Sequence, residues 1–188
     1  MDSATAMLRT EHEAILTMLA VTDEVARRLE YGTRVAPNAL HRLLEFFKLF
    51  ADKCHHGKEE DLLFPFLEEK GLPRDGGPIG VMLGEHEQGR ALIRQMSDAA
   101  EAYAKDIAGA GRRWAHAARG YTSLLHSHID KENNVLFMMA ERMLSPQDQK
   151  SLAESFAKVE VEKMGAGTHE RLHAMMNDLV KEFPPRGH

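Results

Sequence analysis

Apolar side chains recur every three or four positions along almost the whole of this 188-residue chain. Leu8, Ile15, Leu16, Leu19 and Leu29 mark one face of a helix predicted over residues 4–31. Gly32 is placed to end it, and Pro37 to open a second helix over about 38–70. Leu40, Leu43, Leu44, Phe47 and Phe50 form the inner face of that helix, and Pro65 should kink or end it. The run "GLPRDGGPIG", 71–80, reads as loop. A third helix is expected over about 80–107, a turn at Gly109 and Gly111, and a fourth helix over about 112–143. Ser145 and Pro146 suit the cap and first residue of a fifth. "GAG", 165–167, separates it from a short sixth ending at Pro184. No alternating apolar–polar run has strand length. The pattern predicts an all-α chain: an antiparallel up-down four-helix bundle over 1–144, with two further helices packed outside it over 145–188.

Composition narrows the class. A chain of this length, 43% hydrophobic and 28% charged, can bury a core without covalent staples. A net charge of −5 gives no reason to expect nucleic acid or an anionic membrane as partner. There is no apolar run of membrane-spanning length and no signal-peptide centre near the start, so a cytoplasmic location is expected. Cys54 has no second cysteine to pair with, which agrees with a reducing compartment. Eleven histidines stand out, most of them beside a glutamate.

Those histidines repeat. At an offset of 73, His55 falls on His128, Lys58 on Lys131, Glu59 on Glu132, Leu63 on Leu136 and Phe64 on Phe137. Upstream, "EHE" at 11–13 matches "EHE" at 85–87 at an offset of 74. The chain therefore reads as two helical hairpins, about 7–70 and 80–142. From His12 to Tyr31 the first hairpin rises about 28 Å, and from Asn38 to His55 it returns about 26 Å, at ~1.5 Å per residue. His12 and His55 come back to one level, and the same holds for His86 and His128. His55 and Glu59 lie four apart on one helical face, as do His128 and Glu132. Four helices thus deliver four imidazoles and two carboxylates to one layer.

Such a layer suits cations. Buried glutamates are costly unless a cation neutralises them. Imidazole with bridging carboxylate favours iron or manganese, often as a pair, and the lack of thiolate disfavours structural zinc. The expected arrangement is a pair of iron or manganese ions completed by a bridging oxygen from water. One ion takes His12 and His55, the other His86 and His128, and Glu59 and Glu132 bridge them. Open positions would accept a peroxide or small diatomic ligand.

The motifs "RTEHEAI", "HHGKEEDLLFP", "MLGEHEQGR" and "HIDKENNVLF" stand in order within 7–142, and by them the chain resembles the hemerythrin-like family of HHE cation-binding domains. That resemblance implies a four-helix bundle holding two iron ions, oxo- or hydroxo-bridged and replaceable by manganese or zinc, with His12, His55, Glu59, His86, His128 and Glu132 as ligands. In oxygen-carrying members another histidine stands one turn before the third-helix histidine, where this chain has Met82. The carriers also place their fourth-helix carboxylate at the position of Asn133, whereas Glu132 resembles the iron-sensing and enzymatic relatives. These departures favour turnover of peroxide or O2, catalase-like or peroxidase-like, over reversible carriage. Non-catalytic binding or sensing of O2, NO or iron is the alternative.

Several other residues fall around the layer. His56 and Glu60 neighbour the expected ligands and are candidate substitutes for the missing histidine. Both His55 and His56 can reach one site only if Gly57 loosens the helix. Tyr121, two turns before His128, is a candidate hydrogen-bond donor to a bound oxygen species. His126 should be exposed. The pairs Met138-Met139 and Met175-Met176 should fill core, and Lys58 and Lys131 should snorkel or pair with acids. "HERLH", 169–173, matches the zinc-protease motif literally, but the chain offers neither a substrate-binding strand nor a clear third ligand. His169 is a further candidate cap for the site. The external helices could mediate a homodimer.

Overall fold

The computed structural model describes residues 2–165 and 167–185; Ala166, within the predicted break, and the last three positions of the extension lie outside them. Among the described residues the chain is helical, with no strand. The first helix, α1, is Ala4–Glu30, capped by the Ser3 side chain, which accepts from the Ala6 amide at 3.2 Å. It ends at Gly32, whose φ of 75° only glycine adopts without strain.

The second rod runs from 37 to 69 without the break that Pro65 suggested. It begins as α2 (Pro37–Phe46), continues through the π-helical segments π1 (Phe47–His56) and π2 (Glu59–Leu63), and finishes as α3 (Phe64–Glu69). Pro65 enters at the start of α3, where the Phe64 amide has already bonded five residues back to the Glu59 carbonyl. The wider π turn absorbs the ladder bond that proline cannot make. After α4 (Pro78–Ala104) the fourth rod repeats the device: α5 (Ala110–Lys131), π3 (Glu132–Leu136) and α6 (Phe137–Met143). Here the Phe137 amide bonds to the Glu132 carbonyl. Of the two glycines expected to turn, Gly109 does so with φ 74°, while Gly111 is helical. A Cβ on Gly111 would sit 3.2 Å from the Tyr103 ring, so its smallness permits close packing of α4 on α5.

The outer helices are α7 (Pro146–Met164) and α8 (Thr168–Glu182). Ser145 and Asp148 form the capping box that starts α7. α7 packs on α1, π1 and π2, and α8 on α1 and α2.

Two apolar clusters make the core. One gathers Ile15, Leu43, Phe47, Met96, Trp114 and Leu125, with Leu172 and Leu179 from α8. The other gathers Leu8, Leu63, Phe64, Met82, Leu136 and Phe137, with Phe156 from α7. Met138 is exposed rather than core, whereas Met139, Met175 and Met176 pack against the clusters. His126 is exposed, as expected. Between the clusters lies a layer of buried polar side chains.

Cys54 sits beside that layer, and burial pushes its thiol up to about 11. The thiolate is the reactive form. Iodoacetamide at pH 8 should therefore leave Cys54 unmodified in the folded protein and label it fully in denaturant, read by mass spectrometry. Rapid labelling under native conditions would contradict this burial.

Candidate metal centre

Every rod contributes to the polar layer. α1 supplies His12, π1 His55 and His56, π2 Glu59, α4 His86, α5 His128 and π3 Glu132, all of them buried. Their ligating atoms fall into two groups, each within 4.8 Å: His12, His55, Glu59 and Glu132, and then His56, Glu59, His86 and His128. Glu59 belongs to both. His12 and His55 thus stand together in one group and His86 and His128 in the other, with His56 added to the second and Glu132 in the first alone.

The presence of both His55 and His56 has a local cause. In an α-helix adjacent side chains point ~100° apart. Through π1 the amides bond five residues back, as the Gly57 amide does to the Asp52 carbonyl, and adjacent side chains diverge less. Gly57 itself has ordinary helical torsions and loosens nothing. The segment before it does. His56 stacks on His86 with ring centroids 3.8 Å apart, while Met82, in the place of the family's further histidine, stays in the apolar cluster.

Each histidine is held by an outer acceptor at Nδ1. His12 donates to Asn133 Oδ1 at 2.9 Å and His55 to Glu11 Oε2 at 2.8 Å. His86 donates to Glu60 Oε1 at 2.7 Å, His128 to Glu85 Oε2 at 3.0 Å, and His56 to Asp52 Oδ1 at 3.4 Å. These bonds fix the tautomer that leaves a bare Nε2 lone pair pointing inward. Consequently His86 Nε2 and His128 Nε2, 3.1 Å apart, face each other lone pair to lone pair. His12 Nε2 lies 3.1 Å from Glu132 Oε2, and His55 Nε2 lies 3.5 Å from Glu59 Oε1. Neither approach has hydrogen-bond geometry: Nε2 of His12, His55 and His56 and both oxygens of Glu59 and Glu132 have no hydrogen-bond partner.

The same crowding shows in protonation. Burial depresses the imidazoles of His55, His56 and His128, so they stay neutral. Burial, then the nearby Glu132 charge, pushes Glu59 well above the usual carboxylate range. Inward lone pairs and buried carboxylate oxygens without hydrogen-bond partners fit cations and little else. Nitrogen and oxygen donors without thiolate suit iron or manganese.

The structure gives Glu60 an outer place. It receives His86 Nδ1 and the Arg90 guanidinium, at 2.7 Å each, and does not join either inward group. Tyr121 is buried beside Phe47 and borders a cavity of about 210 Å³ together with His56 and His86. His169 approaches Glu160 at 3.7 Å and neighbours His173; neither joins a group of three ligating side chains among the described residues.

Sequence reasoning missed Glu11 and Glu85. They hold His55 and His128 and also pair with Lys58 and Lys131. The signal was present: the repeated "EHE" and the repeated lysine are two halves of one contact.

A model of the hemerythrin HHE cation binding domain matches residues 3–140. This chain belongs to the hemerythrin family. As a family member it is a metal-binding helical domain. An uncharacterised protein of Mycobacterium tuberculosis, Rv1995, is 25% identical over 176 residues, spanning 94% of this chain and 68% of that protein. The protein named iron-sulfur cluster repair protein YtfE of Edwardsiella ictaluri is 30% identical over 135 residues, 69% of this chain and 59% of its own length. The Salmonella typhimurium protein of that name is 31% identical over 113 residues, 55% of this chain and 49% of its own. No solved structure matches the chain. No described helix of this hemerythrin-family chain is long and apolar enough to cross a membrane.

Proposed function

We propose that this chain holds two iron ions between its four rods, one among His12, His55 and Glu132, the other among His56, His86 and His128, with Glu59 shared between them, and that it binds and turns over peroxide or O2 there. The rods are read as an antiparallel up-down four-helix bundle over 1–144 with 145–188 as an outer extension. The observation that carries the reading is the set of buried Nε2 and carboxylate oxygen atoms with no hydrogen-bond partner. When bound, a pair of irons supplies Lewis acidity and a two-electron redox change.

The chain's own residues do the rest. Two apolar clusters close the layer from either side and exclude bulk water. Outer acceptors lock five imidazoles so that they need not reorganise during turnover. Burial raises Tyr121 and keeps its hydroxyl protonated, a donor at the cavity wall. His56 has the longest outer bond of the five and borders the cavity, so a ligand arriving there meets the least firmly held imidazole first.

Elemental analysis of protein expressed with iron should give close to two irons per chain and a near-ultraviolet charge-transfer band. Added peroxide should yield O2 over many turnovers. His173→Ala should leave metal and band intact, while Glu59→Ala should lose both. Fewer than one turnover per site would end the catalytic proposal, and metal loss in His173→Ala would end the assignment of the layer.

A second reading is favoured by the YtfE relatives, whose name specifies iron–sulfur cluster repair. Here the site would bind and give up iron rather than turn over an oxidant. Transfer of iron to a cluster-free ferredoxin, at a rate exceeding release to buffer, would favour it over peroxide turnover.

A further inference from the structure

The cavity beside His56 and His86 is larger than peroxide needs. Its volume is about 210 Å³, against the ~30 Å³ share of one water. That is still short of the ~300–1,000 Å³ of sites for drug-sized ligands. It is a space for a molecule of roughly ten heavy atoms or fewer.

Its walls state what kind. Phe47, Ile93 and Tyr121 are buried and line it with apolar surface, and Gly89 borders it without a side chain. A Cβ on Gly89 would meet Tyr121 Cε2 at 3.6 Å and Leu125 Cδ2 at 3.7 Å, ordinary contacts, so crowding does not demand the glycine. The charged lining is uneven. Arg90 is saturated by Asp52 at 2.8 Å, Glu60 at 2.7 Å and Glu87 at 2.6 Å. Lys48 and Arg94, exposed at the mouth, have no carboxylate within ion-pair distance among the described residues. Both cations are thus free to meet an anion entering over the apolar wall.

We propose that this cavity is a binding site for a small organic anion, an apolar body seated against Phe47, Ile93 and Tyr121 with its carboxylate between Lys48 and Arg94. The ligand class goes beyond peroxide and O2. Binding itself rests on the cavity alone; only its consequence, control of approach to the proposed irons past His56, rests on the di-iron reading. A carboxylate supplies both requirements at once, since a guanidinium binds it bidentately and the aliphatic or aromatic part replaces water from the wall.

Benzoate and its neutral isostere benzamide are the probes, titrated calorimetrically into metal-loaded protein, with sulfate as an anion lacking the apolar body. Benzoate should bind about tenfold more tightly than benzamide or sulfate, the value expected of one charge-assisted hydrogen-bonded contact. Arg94→Gln should remove most of that difference. Gly89→Leu, which fills the pocket, should abolish benzoate binding, and the exposed Arg94 variant keeps the test informative if Gly89→Leu fails to fold. Equal affinity for benzoate and benzamide would overturn the proposal. Retention of benzoate binding in folded Gly89→Leu would overturn it too. Iron is quantified on the same samples, so absent iron with intact benzoate binding would refute the di-iron reading and leave this site standing.

Discussion

Glu59→Leu should lose both irons, whereas His56→Ala should keep a substantial part of them. Glu59 alone contributes to both groups of inward ligands, so its removal opens both positions at once. His56 serves one group, which retains His86 and His128 without it. The stability effect has the opposite sign to the metal effect. Without metal, both Glu59 oxygens are buried with no partner, and an unsatisfied buried polar group costs ~1–3 kcal/mol. Leucine removes that cost and fills similar space. Metal-free Glu59→Leu should therefore melt above metal-free wild type, by about 1 kcal/mol or roughly 2–4 °C. Iron should raise the melting temperature of wild type only, because a ligand stabilises the state that binds it. Calorimetry with and without chelator, alongside elemental analysis, checks both halves. Iron retained by the variant, or a metal-free variant melting several degrees below metal-free wild type, would refute this account of the layer.

Lys58→Met should destabilise the protein by about 3 kcal/mol, a fall of roughly 6–12 °C, while Lys131→Met should cost less than ~1 kcal/mol. The two lysines are equivalent in sequence and make equivalent contacts, Lys58 with Glu11 and Lys131 with Glu85. Their surroundings differ. Lys58 has no exposed surface, because α7 lies over it and supplies Glu160 at 3.3 Å; Lys131 is 36% exposed. Burial opposes the Lys58 charge, but Glu11 and Glu160 outweigh it and hold the ammonium on. Removing it would leave the Glu11 carboxylate, only 12% exposed, with His55 Nδ1 as its remaining donor among the described residues. The double variant Lys58→Met/Glu11→Gln should recover much of the loss, since no charge is then stranded. Denaturant titration of the four proteins decides it. Equal losses in the two lysine variants would show that α7 contributes nothing to the pair.

Much of the architecture was legible because helices announce themselves locally. The i, i+3, i+4 spacing of Leu40, Leu43, Leu44 and Phe47 places them inward wherever the helix goes, and all four are buried. Ser145 and Pro146 start α7 through contacts with their immediate neighbours. Pro65 does not end the rod because its effect depends on the helical register before it, and a π turn leaves no mark in apolar periodicity. Met138 misled for a simpler reason: beside a buried Phe137 it falls on the outer face.

At the metal centre the division is sharper. Spacing along the chain brought His12, His55, His86 and His128 to one level and set Glu59 and Glu132 one turn from their histidines. A helix has a fixed rise and a fixed face, so distance in sequence becomes position in space. What spacing could not decide was which side chains turn inward and what stands behind them. His56 enters only because π1 alters the angle between neighbours. Glu60 and Asn133 occupy matching places in the repeat, one an acid and one an amide, and hold His86 and His12 from outside. Lys58 is sealed and Lys131 is not, because α7 covers one half of a duplicated motif. The sequence by itself determined the ligand types and their common level, through local periodicity. Burial, outer hydrogen bonds and access to the layer come from elements far apart in the chain, and only their packing in three dimensions decided those.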